Sequence, residues 1–178
     1  MTDEQLLALA ADCGFDHAGM LNVPALRFEP AVREMCAADR CRSYGKCWTC
    51  PPYCGALEEF AARAARYHRG IIVQSTGRME DDYDFEAMMD TEALQHQRFR
   101  DLTAKVREAY PGCMPLSAGA CRICKTCACP DESCRFPELA VPSMEASGLN
   151  VSRTCADSGV LYYYGPRTIT FTCCILTD

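Results

Sequence analysis

The run Cys121-Arg-Ile-Cys124-Lys-Thr-Cys127 sets three thiols at two successive C-x2-C steps, and it constrains this chain more than any other stretch. One loop with that spacing wraps three corners of a cubane, with a thiolate on each of three irons, whereas tetrahedral zinc more often takes two well-separated C-x2-C pairs. The spacing therefore points to a [4Fe-4S] cluster. A fourth ligand is needed, and the candidates are Cys129, Cys134 and a remote cysteine. Cys129-Pro130 imitates the Cys-Pro that closes the bacterial C-x2-C-x2-C-x3-C-P run, but with one intervening residue where that run has three. Cys129 must also turn back after a single intervening residue, while Cys134 leaves six between itself and Cys127. Cys134 is the preferred closure.

A second group lies upstream, where Cys36, Cys41, Cys47, Cys50 and Cys54 fall within nineteen residues punctuated by Gly45, Pro51, Pro52 and Gly55. Buried structural cysteines usually sit singly in helix or strand cores, so this density reads as a metal-binding loop. Its best four-ligand set is Cys36, Cys41, Cys50 and Cys54, with Cys47 as the spare and zinc as the alternative metal. Trp48 and Tyr44 are candidates to shield a cluster from water. Of the cysteines outside both loops, Cys13 and Cys113 read as core thiols. The pair Cys173-Cys174 alternates across a strand, so one thiol at most faces a given site; core packing suits Cys173 better than Cys174.

Composition narrows the class. The chain has 178 residues, 49% of them hydrophobic, enough for one compact domain with an ordinary core over residues 1–178. Fifteen cysteines would suit a secreted disulfide scaffold, but such scaffolds are usually much shorter and the first residues, MTDEQLLALAADCGF, do not resemble a signal peptide. The expectation is a cytoplasmic, soluble protein with reduced thiols and an oxygen-sensitive metal centre. No apolar run is long enough to span a bilayer, so membrane insertion is not expected. The formal charge of −6 argues against a nucleic-acid partner; Arg33, Arg40, Arg42 and Lys46 near the first cysteines read as solvated loop charge or an electropositive setting for thiolates.

Along the chain, residues 3–12 read as a short helix, 17–23 as a strand before a turn region at 24–30, and 56–68 as a helix stopped by Gly70. GIIVQST follows as a strand, then the longest helical pattern, from about Glu80 to Tyr110. Pro115 to Ala118 reads as a brief strand and 143–148 and 152–158 as short helices. LYYYG and TITFTCCIL, divided by Gly165-Pro166, read as a closing hairpin. The fold expected is a mixed α+β domain of the α/β kind, a mixed sheet with packed helices and two cysteine-rich metal-binding loops, 36–55 and 121–137. His17, His68 and His96 are scattered and none is assigned to metal. Met35, Met79, Met88, Met89, Met114 and Met144 read as core filler. Asp81, Asp82 and Asp84 read as an acidic helix start.

Several rare motifs occur together: C-x4-C-x2-YGK-x-W-x-CPP, C-x2-C-x2-C-x6-CRFP, PSMEASGLNV and YYYGP-x-TITFT. In that order they resemble a prokaryotic domain-of-unknown-function family of predicted metal-binding proteins, over roughly residues 30 to 176. The resemblance places Cys36, Cys41 and Cys50 on the first cysteine motif and Cys121, Cys124, Cys127 and Cys134 on the second. Positions 47, 54 and 129 often hold other residues in that pattern. It implies metal binding and no particular reaction.

Function is then expected in three forms. The first is an electron-transfer or redox protein with one or two [4Fe-4S] clusters and a redox partner protein. The second is an iron–sulfur enzyme acting on a small-molecule substrate at an open cluster iron, which three thiolates at the first loop would leave. The third is a zinc-bearing structural or adaptor protein.

Overall fold

A computed structural model describes all residues, Met1–Asp178. Its centre is a four-stranded sheet of β1 (His17–Met20), β2 (Arg69–Arg78), β3 (Met114–Leu116) and β4 (Thr168–Thr177), in the order β1-β2-β4-β3. Every pairing is antiparallel, with Arg69 opposite Thr177, His17 opposite Gln74 and Met114 opposite Leu176. The expected mixed sheet is thus corrected to a purely antiparallel one. The expected hairpin is corrected too: LYYYG is not a strand, and β4 pairs along its whole length with β2 and at its end with β3. Tyr164 shows why. Its hydroxyl donates to Gln74 Oε1 at 2.7 Å and its ring stacks on His17 at 3.8 Å, so the segment anchors to the edge of the sheet by side chains instead of a ladder.

Both faces of the sheet are covered, which explains why β2 and β4 read as near-continuous apolar runs. Ile71, Val73, Cys173 and Ile175 pack against Leu6 and Ala10 of α1 (Asp3–Asp12) and against Phe99, Leu102 and Val106 of α4 (Phe85–Ala109). Ile72, Cys174 and Leu176 point the other way. They meet Phe60 and Ala64 of α3 (Leu57–Ala64), Met144 of α5 (Met144–Ser147) and Cys155 of α6 (Val151–Asp157). Both members of the 173–174 pair are therefore fully buried core thiols, including Cys174, the less expected of the two. A hydrophobic thiol in each layer costs little, since free cysteine packs as a small apolar residue.

The remaining helix, α2 (Pro30–Ala37), lies where the sequence suggests a turn and the start of a loop. Pro30 starts it at a first-turn position, where its missing N–H is no loss. Cys36 therefore sits on the last turn of a helix. The long helix begins at Phe85, later than expected, where the Asp84 side chain accepts the Ala87 amide at 3.0 Å. Backbone amides of Glu80 and Ala87 hold the Asp84 carboxyl below its ordinary range. Met114 and Met144 are buried as expected, but Met35 and Met89 are exposed at 71% and 68%, so they are not core filler. No helix is long and apolar enough to cross a membrane.

Candidate metal centre

The two cysteine stretches come together beyond the end of the sheet. β3 leads through Ser117, whose amide donates to Pro142 O at 2.9 Å while its carbonyl accepts from Met144 N at 2.9 Å, and this clasp brings α5 beside the second loop. From the other side, Arg33 on α2 donates to Ala146 O at 2.6 Å and to Gly55 O at 2.9 Å. One guanidinium thus ties α2, the end of the first loop and α5. The indole N–H of Trp48 donates to Glu132 O at 3.0 Å and joins the first loop to the second. Neither loop has regular structure, and Gly-Pro punctuation with these long-range bonds fixes their path instead.

Cys121, Cys124, Cys127 and Cys134 ring one small cavity, with Trp48, Ile123 and Phe136 as its apolar walls. Cys129 is buried but does not line it. Cys36, Cys41 and Cys50 line a second cavity of about 610 Å³, shared with Tyr44, Gly119, Ala120, Ser143 and Glu145. Cys54 does not join them: its thiol donates to Ala146 O at 3.5 Å and lines a separate groove with Trp48, Tyr53 and Cys134. The thiols stand around the cavities, and no three His, Cys, Asp or Glu groups converge on a single point.

Cys47, the expected spare, occupies the wall between the cavities. It lines the second-loop cavity and packs with Cys50, Ala120, Cys121 and Cys127. A signal for it exists in the sequence, because Cys47-Trp-Thr-Cys50 is itself a C-x2-C step. The Cys50 thiol, then the Thr49 hydroxyl and the amides of Thr49 and Cys121, hold the Cys47 thiol down to about 5 against the opposing effect of burial. The same shared proton, together with burial, pushes Cys50 up. Burial also raises Cys36, Cys54 and Cys121, with Glu145 adding to the effect at Cys36 and Arg33 countering it there and at Cys54. An anion-stabilising set of N–H and O–H donors at the dividing wall suits thiolate ligation.

Glu145 is a functional candidate that the spacing of cysteines does not reveal. Ser143 caps α5 by accepting the Ala146 amide at 3.0 Å, and Gly148 ends it at φ 97°. At that positive φ a side chain is strained, so this tight exit needs glycine. The short helix holds Glu145 at the cavity with its Oε2 enclosed and without a hydrogen-bond partner, and burial raises its carboxyl pKa. Beside the other cavity, His96, Arg100, Thr103, Arg107 and Arg122 line a cleft of about 540 Å³ that also touches Cys121. His96 is buried. Arg122 pairs with Glu92 at 3.1 Å.

The donor sets fit a thiolate-bound metal group: soft sulfur ligands around two cavities, with an orphaned carboxyl oxygen at one of the two sites. The family of predicted metal-binding proteins known as DUF2284 matches residues 19–177, nearly the whole chain, and this protein belongs to it. No curated protein and no solved structure matches the chain.

Proposed function

Taking a metal-binding family member as the premise, we propose that the metal is iron in two [4Fe-4S] clusters, and that the protein relays single electrons to and from a redox partner protein. One observation carries this reading. Two thiol-lined cavities are joined by one packed cluster, in which Cys47 and Cys121 from the lining of one meet Cys50 and Ala120 from the lining of the other. A bound [4Fe-4S] cluster supplies one-electron oxidation and reduction, at a potential set by hydrogen bonds to sulfur and by solvent exposure. The chain supplies both levers. Trp48 and Phe136 wall the second-loop cavity, and donors around Cys47 place hydrogen bonds at the wall between the sites. Thiols that ring a space, instead of meeting at a point, suit a polynuclear group whose irons each take one thiolate.

The test is metal and sulfide analysis of protein prepared without oxygen, followed by dithionite reduction and electron paramagnetic resonance. Two paramagnetic clusters with mutually broadened signals are expected. Stoichiometric zinc without iron or acid-labile sulfide would replace this reading with the structural zinc protein.

A second reading has its own observation. Only three thiols line the larger cavity, so a cluster there would have one iron without a cysteine, and that iron would act on a small-molecule substrate as a Lewis acid. Perturbation of the first-site spectrum by small thiols or carboxylates would favour it, and indifference to them would sink it.

A further inference from the structure

The larger cavity is lined by three thiols and also by a carboxyl group. Cys36, Cys41 and Cys50 surround the space, Cys54 is engaged by the Ala146 carbonyl, and Glu145 stands at the cavity instead. Cys36 and Glu145 belong to packed neighbours: Cys36 Sγ lies 3.9 Å from the Glu145 carbonyl, although 109 residues separate them in sequence. The Oε2 atom of Glu145 is shut off from solvent and has no hydrogen-bond partner, although the Glu145 amide and the Ser143 side chain lie near enough to the carboxyl group to counter part of the effect of burial. Buried polar atoms are nearly always hydrogen-bonded, and buried charges are paired or coordinate a metal. Arg33, the guanidinium on the neighbouring helix, donates to the carbonyls of Ala146 and Gly55 and makes no ion pair with Glu145.

We infer that Glu145 is the fourth protein donor of the first cysteine site, giving a carboxylate oxygen to the iron that Cys36, Cys41 and Cys50 leave without a thiolate. This rests on the reading that the first loop holds a cluster. The surroundings are built for it. The Ser143 cap and the Gly148 exit fix the one turn that presents Glu145, and Arg33 locks that turn against α2, which carries Cys36. Cys54, the cysteine favoured by spacing, keeps a different task as a donor that braces Ala146. An oxygen ligand is harder than a thiolate and exchanges more readily, so this iron is the one a small anionic molecule would reach.

The experiment compares full-length wild type, Glu145→Ala, Glu145→Gln, Glu145→Cys, Cys54→Ser and Cys36→Ser after anaerobic reconstitution. Iron-to-sulfide ratio, Mössbauer spectra and electron paramagnetic resonance are the readouts, with circular dichroism to report folding. In wild type one iron subsite should show the larger isomer shift of oxygen ligation. Glu145→Ala and the isosteric Glu145→Gln should each lose about one iron per chain, as Fe2+, at unchanged sulfide, leaving a three-iron cluster whose paramagnetic signal appears on one-electron oxidation with ferricyanide. Glu145→Cys should restore the iron with an all-thiolate spectrum, and Cys54→Ser should change nothing. Full iron and an unaltered Mössbauer spectrum in folded Glu145→Ala and Glu145→Gln would overturn the assignment, as would loss of that iron in Cys54→Ser. If Cys36→Ser leaves iron and spectrum intact, the first loop holds no cluster, and the two-cluster reading falls together with the role of Glu145.

Discussion

Cys121, Cys124, Cys127 and Cys134 reach their cavity from one loop of fourteen residues, whereas Cys36, Cys41 and Cys50 reach theirs from the end of α2 and the loop behind it, and meet Ser143 and Glu145 of α5. The second site is local. Its ligand spacing closes a short loop, and the entropy of closure is small and already present in the unfolded chain. The first site exists only when α2, α5 and the first loop have docked, through the Arg33 clamp and the hydrophobic layer beneath them. The same element, cysteine, thus serves one site that depends on sequence distance and one that depends on the fold.

Single substitutions should separate the two. The largest effect is expected from Cys124→Ser, which should abolish the second cluster and with it about half of the bound iron, while the first-site spectrum survives. Iron, sulfide and visible absorption after anaerobic reconstitution check it; loss of both clusters would show that the sites are not independent. Leu149→Ala attacks the other half of the comparison. Leu149 is fully buried just after α5, and its truncation should cost about 3 kcal/mol, read as a shift in the urea midpoint. The first site should then lose iron at urea concentrations where the second keeps it.

Arg33→Ala should cost about 2 kcal/mol, because it removes two hydrogen bonds from a charged, half-buried group. First-site iron should fall with it and second-site iron should not, and a quantitative comparison of the two spectra decides the matter. The smallest effect is expected from Cys129→Ser. That thiol lies outside both cavities, so iron content should match wild type, whereas Cys134→Ser should strip the second site.

Much of the architecture is legible in the chain. The 3.6-residue pattern of α4 and the β-branched runs of β2 and β4 announce themselves, because each buries a face against a neighbouring layer. The segment LYYYG misleads for a physical reason: aromatic residues favour strands, yet here Tyr164 satisfies its hydroxyl on Gln74 and its ring on His17, which removes the need for a ladder. α2 escapes notice because Pro30 reads as a turn residue when it is a helix start. Cys47 lines the second-loop cavity and the Cys54 thiol meets the Ala146 carbonyl, neither of which residue counting foresees. Spacing counts residues between thiols, whereas the Ala146 carbonyl and the packing around Ala120 decide which way each thiol faces.

The sequence by itself determined that the chain carries a C-x2-C-x2-C loop, that Cys134 has the reach to close it, and that a second dense group of thiols lies upstream. These are properties of covalent spacing, and they persist whatever the rest of the chain does. Only the tertiary structure decided that one packed cluster joins the two groups, that the Cys54 thiol meets the Ala146 carbonyl, and that Glu145 lines the cavity of Cys36, Cys41 and Cys50. Those outcomes depend on contacts between residues about a hundred positions apart, whose geometry is set by the packing of helices on both faces of the sheet, and no local spacing encodes it.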